Sequence, residues 1–150
     1  MSTKTIVTRE IEIGQLVDRF MRQMHRELSE RGPKYDTAKV GPAGGMVLMT
    51  LADVEPVPIH ELVRLIARDK AQITRLLQSL GAKGLIERSQ STQDGRVCIL
   101  QLSSDGRAAV DGLRQALADT ISHVLSPLSE RERDIFKELL IKTTGTQNAD

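Results

Sequence analysis

The sequence predicts a mainly α-helical fold (α+β): about six helices and one two-stranded hairpin in a single domain of 150 residues. Three observations carry that expectation. Apolar residues recur at steps of three and four through most of the chain. Helix-starting and helix-stopping residues separate those segments. One run, "RVCILQL", alternates instead, and it follows a polar turn containing Asp94-Gly95.

The elements follow in order. From Glu10 to Leu28 the apolar positions Ile13, Leu16, Val17, Phe20, Met21, Met24 and Leu28 describe an amphipathic helix. The eight residues at the start and the tail "TTGTQNAD" are expected to fray. "SERGPKYDTAKVGP" breaks the first helix with Gly32, Pro33, Gly41 and Pro42. Ala43 to Ala52 is a short apolar helix, in which Gly44 and Gly45 cost about 1 kcal/mol each relative to alanine. Ile59, Leu62, Val63 and Ile66 mark a third helix, and Ile73, Leu76, Leu77 and Leu80 a fourth. The break between them falls at Ala67–Asp69. Asp69 can cap the fourth helix, with Gln72 completing a capping box. Gly84 stops that helix. "LIER" and "VCILQL", separated by the eight polar residues Ser89–Arg96, form the hairpin. A helix-turn-helix followed at once by a hairpin is a winged helix-turn-helix, spanning about residues 43–102. Ser103 caps a long helix reaching about Leu125, which Pro127 ends. Ser129 and Glu132 cap the last helix, whose apolar face is Ile135, Phe136, Leu139 and Leu140.

Composition narrows the function. With 39% apolar and 27% charged residues the chain is an ordinary globular one. No apolar run approaches the roughly 18 residues of a membrane span. "MSTKTIVTREIEIG" lacks the apolar core of a secretory signal, so a cytoplasmic location is expected. The single cysteine, Cys98, has no disulfide partner; on the inward side of a strand it reads as a small apolar residue rather than a redox sensor. His25, His60 and His123 show no metal-ligand spacing and read as surface or interface histidines. There is no glycine-rich phosphate loop and no nucleophile elbow, and Asp53 and Glu55 have no nameable catalytic partner. Neither an enzyme nor a cofactor is predicted.

A net charge of +1 hides an asymmetry. Arg64 to Arg96 holds seven basic and three acidic residues, while the flanking segments are each net negative. Concentrated positive charge is the footprint of a polyanion site, although a solvated helix face produces it too. On the fourth helix the apolar stripe faces inward. Ala71, Arg75, Gln78 and Ala82 then fall on the opposite side, flanked by Gln72, Thr74 and Ser79, and with Lys70 these are the candidate DNA contacts of the helix. These side chains can read base edges in a major groove. An ordinary exposed face would mix both signs, yet no Asp or Glu occurs from Lys70 to Gly84. At the hairpin, Cys98, Leu100 and Leu102 share the inward face, leaving Arg96 at the tip to enter a minor groove. Asp94 is expected to pair with Arg96 or Arg88 and fix the wing, though Asp-Gly also serves as a plain turn. A protein–protein interaction module is the alternative, since winged helices are used that way as well.

"DGRVCILQLSSDG" resembles the wing signature D-x-R-x-x-x-L-x-L-[ST]-x-x-G of MarR-type transcriptional regulators, through Asp94, Arg96, Leu100, Leu102, Ser103 and Gly106. "ITRLLQSLGAKGLIER" is similar to that family's recognition helix and first wing strand, through Thr74, Arg75, Leu76, Leu80, Gly84, Leu85 and Arg88. The family's usual serine early in the recognition helix is absent, and "DKAQ" stands there. The resemblance implies a homodimer on double-stranded DNA at a near-palindromic operator, with half-sites roughly 10 bp apart. It also implies a repressor released by a small anionic or phenolic effector, or by an oxidant. Dimerisation helices would lie at about residues 10–28 and 104–143. The seam Val110, Leu113, Leu117, Ile121 and Val124 is more apolar than one thin domain is expected to cover.

Overall fold

The computed structural model describes residues 3–66 and 69–145. Helix α1 is Thr3–Arg31, followed by a 3₁₀ turn at Gly32–Lys34; α2 is Gly41–Val54, β1 Val57–Pro58, α3 Ile59–Ile66 and α4 Lys70–Ala82. Then come β2 Ile86–Gln90, β3 Cys98–Leu102, α5 Ser104–Val124 and α6 Glu130–Thr144. The six expected helices and the hairpin are all present. The segment expected to fray at the start is instead helical from Thr3. Residues 146–150 of the tail lie outside the described residues, as do Ala67 and Arg68 in the break between α3 and α4.

The caps at α5 and α6 form as the sequence indicates, and the one at α4 forms only in part. Asp69 accepts bonds from the Ala71 and Gln72 amides at 2.7 and 3.2 Å. Among the described residues no return bond from the Gln72 side chain accompanies them, so the cap is one-sided. Ser103 accepts from the Gly106 amide, and Ser129 and Glu132 complete a reciprocal box at α6. Gly84 sits at φ +70°, a left-handed conformation that costs glycine nothing, and lets the chain leave α4 for β2.

The sheet has three antiparallel strands rather than two, in the order β1-β3-β2. β2 pairs Ile86 with Leu102 through to Gln90 with Cys98, so Ser89 and Gln90 belong to the strand and not to the tip. Solvent-facing positions of a hairpin accept polar residues, which is why composition placed the turn too early. β1 pairs Val57 and Pro58 with Leu100 and Ile99. Two residues carry no alternation to detect, and Pro58 is tolerated because β1 is an edge.

Beside that edge, Glu55 closes the end of the wing. Its carboxylate accepts the Leu102 amide and pairs with Arg107. Glu55→Gln weakens both bonds, and we expect a loss of roughly 1–2 kcal/mol in urea unfolding. An unchanged midpoint would contradict this role.

The core joins α2, α3, α4, the wing and α5 through Leu48, Leu51, Leu62, Ile73, Leu80 and Leu100, among others. Gly44 and Gly45, helix-weakening by propensity, are both buried. A Cβ on Gly44 would come within 3.0 Å of Val40 Cβ, and one on Gly45 within 3.2 Å of Leu113 Cδ2. Gly44 thus leaves room for Val40, the helix's own N-cap residue, and Gly45 lets α2 lie close to Leu113 of α5.

The α5 seam is largely covered within the chain, contrary to expectation. α1 and α2 pack on α5, burying Val110 and Val124 and half-burying Leu113 and Ile121. Leu117 of the seam stays exposed, and most of the other uncovered apolar surface lies on α1 and α6. On α1, Val7, Ile11, Ile13, Leu16, Val17 and Met21 are all exposed; on α6, Ile135, Leu139 and Leu140 are. Phe20 meets Phe136 edge-to-face, with ring centroids 5.6 Å apart, and so joins these two surfaces. At the other end of α1, Arg31 pairs with Glu27 and Asp119, and Lys34 lies 3.4 Å from Asp119. A hydrogen bond with Tyr35, then the Tyr35 and Asp119 charges, raise the Lys34 ammonium above its ordinary value.

Candidate nucleic-acid interface

The core-facing stripe of α4 decides which residues remain outside. Ile73, Leu77 and Leu80 are buried, and Leu76 is half-buried. Lys70, Ala71, Gln72, Thr74, Arg75, Gln78 and Ser79 are therefore all exposed on one helix. Asp69, Lys70, Ala71, Thr74, Arg75 and Gln78 line a shallow depression on this outer face. Asp69 is the sole acid there, and its carboxylate is engaged by the Ala71 and Gln72 amides. Thr74 donates to the Lys70 carbonyl at 2.8 Å, and Arg75 Nε approaches the Ala71 carbonyl at 3.4 Å.

The wing carries the other cations. Arg88 is exposed in the body of β2 opposite Leu100, and Arg96 is exposed in the tip. Among the described residues, the guanidinium groups of Arg75, Arg88 and Arg96 make no ion pair. An exposed cation without an internal counter-charge is available to an external polyanion.

Asp94 fixes the tip, but not through an arginine side chain. Its Oδ1 accepts the Arg96 backbone amide at 3.0 Å, and its carbonyl accepts the Val97 amide at 2.9 Å. Ser91 Oγ accepts the Gln93 and Asp94 amides from the other side. The short Asp side chain reaches an amide two residues on more readily than a mobile guanidinium, the usual geometry of an Asx turn. The Arg96 side chain is thereby left free. Asp94→Ala is expected to cost about 1 kcal/mol of wing order, read as faster amide exchange at Arg96 and Val97. Unaltered exchange at both amides would refute it.

Cys98 is half-buried on β3, beside the inward-facing Leu100 and Leu102. No helix among the described residues is long and apolar enough to cross a membrane. The structure has a cavity of about 780 Å³ between the last turn of α1, the exposed side of α2 and the middle of α5. Its walls come from the run 28–53 and from residues 113–117 far along the chain, so no local pattern marks it.

Six helices around a small wing, with an acid-free outer face on the second helix of the helix-turn-helix, define a winged helix-turn-helix protein. A model of the MarR family matches residues 43–98, which run from α2 to the start of β3. Over those residues the chain is similar to the MarR family. It is 30% identical over 96 residues to the HTH-type transcriptional repressor YetL of Bacillus subtilis (strain 168), covering 63% of this chain and 58% of that protein. The matched stretch thus spans less than two thirds of that relative's length. A probable transcriptional regulator from Pseudomonas aeruginosa is 27% identical, with a TM-score of 0.67 over 87% of this chain and 98% of the other. A mutant MarR from E. coli complexed with operator DNA shares the fold at a TM-score of 0.71 and 24% identity, over 90% of this chain and 95% of that one.

Proposed function

We propose that this chain is a sequence-specific double-stranded DNA-binding transcriptional regulator: a homodimeric repressor whose hold on a near-palindromic operator is relieved by a small molecule. The observation that carries it is the exposed face of α4, whose own residues include no acid, beside a wing whose Arg96 has no counter-charge among the described residues. On this reading Arg75, Gln72 and Gln78 contact base edges, with Ala71, Thr74 and Ser79 closing the face around them. Lys70 and Arg88 contact phosphates. Arg96 enters a minor groove, and Asp94 positions it. The repressor YetL and the DNA-bound MarR relative support the DNA-binding role. The exposed apolar faces of α1 and α6 support the homodimer, since an uncovered patch of that kind marks an interaction surface.

Selection of bound fragments from genomic DNA tests the proposal. We expect a twofold-symmetric site with half-sites about 10 bp apart. Affinity should fall steeply with salt, with the slope of roughly 6–10 phosphate contacts per dimer. Recovery of no enriched sequence, or an affinity indifferent to salt, would favour a protein–protein module instead.

A further inference from the structure

We propose that the depression on the outer face of α4 seats the 5-methyl group of a thymine, one or two base pairs from the guanine that Arg75 contacts. This rests on the reading of the chain as a DNA-binding regulator, and it names the base step that such a regulator selects.

The depression is lined by Asp69, Lys70, Ala71, Thr74, Arg75 and Gln78, and most of its floor is carbon. Two of those carbons are methyl groups. Ala71 has nothing else to offer. Thr74 also has a hydroxyl, but its proton is used inside the helix, on the Lys70 carbonyl at 2.8 Å. Thr74 therefore donates to no base, and its methyl remains. Ala71 and Thr74 are three apart on one helix, so the two methyls are neighbours on its surface. The apolar group that base edges present in a major groove is the thymine methyl. Apolar ground within a polar, cationic face suits that group better than any other base edge.

The surrounding groups hold the notch in place and fix its distance from a polar contact. Asp69 Oδ1 holds the Ala71 and Gln72 amides at 2.7 and 3.2 Å, which orders the first turn and with it the Ala71 methyl. Lys70 and Arg75, both exposed, draw this face toward phosphate-lined DNA. Arg75 Nε lies 3.4 Å from the Ala71 carbonyl, so the guanidinium starts beside the methyl pair and its two Nη groups are left for the O6 and N7 of a guanine. Four helical residues rise about 6 Å. Stacked bases are about 3.4 Å apart. The methyl and the guanine then fall on adjacent or next-but-one base pairs.

Uracil is thymine without the methyl and keeps every hydrogen-bonding group, so it isolates the contact. Each thymine of the selected operator is replaced in turn by uracil, in both half-sites, and the affinity of the full chain is measured by anisotropy. One position, within two pairs of the guanine whose preference Arg75→Ala relaxes, is expected to lose about fourfold per half-site, the worth of one buried methyl, and about fifteenfold over both. Thr74→Ser keeps the hydroxyl and removes only the methyl. It should shrink the thymine-to-uracil ratio at that position and leave the other positions unmoved. Ala71→Gly should do the same; a thermal melt checks its folding, and Thr74→Ser decides if it fails to fold. An operator without a thymine within two pairs of such a guanine overturns the proposal, as does indifference to uracil at every position or a ratio unmoved by Thr74→Ser. A selection that enriches no sequence loses the regulator reading, whereas an enriched operator indifferent to uracil loses only this inference.

Discussion

Gly106→Ala is expected to destabilise the protein by roughly 2–4 kcal/mol, measured as a shift in the urea or thermal unfolding midpoint. Gly106 is buried in the first turn of α5. A Cβ there would overlap the Leu85 carbonyl oxygen and press on Leu102 Cδ2 at 3.3 Å. The obstacle is backbone, so no rotamer change relieves it. The same carbonyl accepts the Ser103 amide at 3.1 Å, and Ser103 Oγ donates to the neighbouring Gly84 carbonyl. Moving α5 away would break the joint between α4, the wing and α5. A variant within about 0.5 kcal/mol of the parent would show that this joint yields without cost.

Arg75→Ala is expected to weaken operator binding by about 1–3 kcal/mol per half-site and to relax preference at one base position. Arg96→Ala should weaken all sequences more evenly and lower the salt slope by about one per chain. The two outcomes differ because the sites differ. Arg75 stands on a helix face surrounded by Ala71, Thr74 and Gln78, where a base edge can be read. Arg96 stands on a turn held by its own backbone amide, where charge and reach are what it offers. Gel-shift or anisotropy titrations at several salt concentrations distinguish them. Unchanged affinity in both variants would remove the DNA interface from this face of the molecule.

Much of the candidate interface was legible because its signals are local. A helix leaves the same residues outside whatever covers its inner side, so the apolar stripe of α4 was enough to select Arg75 and Gln78. Asp69, Ser103 and Ser129 act within a few residues of themselves, and each forms the cap its position implied. Asp94 fixes the wing through Arg96, one of the two partners its position implies, but through the backbone amide and not the guanidinium. Charge complementarity suggested a guanidinium, whereas the nearer backbone amide costs less conformational entropy to engage.

Signals spread over distant segments were not legible. Glu55 looked like a loop carboxylate without a partner, yet it closes the wing through groups 47 and 52 residues further along the chain. Gly44 and Gly45 looked like helix defects, and the space taken by Val40 at the helix's own N-terminus and by Leu113 of α5 is what explains them. The α5 seam looked like a partner surface, but α1 and α2 already cover most of it.

By itself, then, the amino-acid order determined the helices, their caps, the hairpin and the outward residues of α4, since hydrogen bonds and periodicities there act within a turn or two. Only the tertiary structure decided the third strand, the cover over α5, the uncovered faces of α1 and α6, and the walls of the cavity. Periodicity states that a face is apolar, but which surface comes to lie against it depends on how whole elements pack.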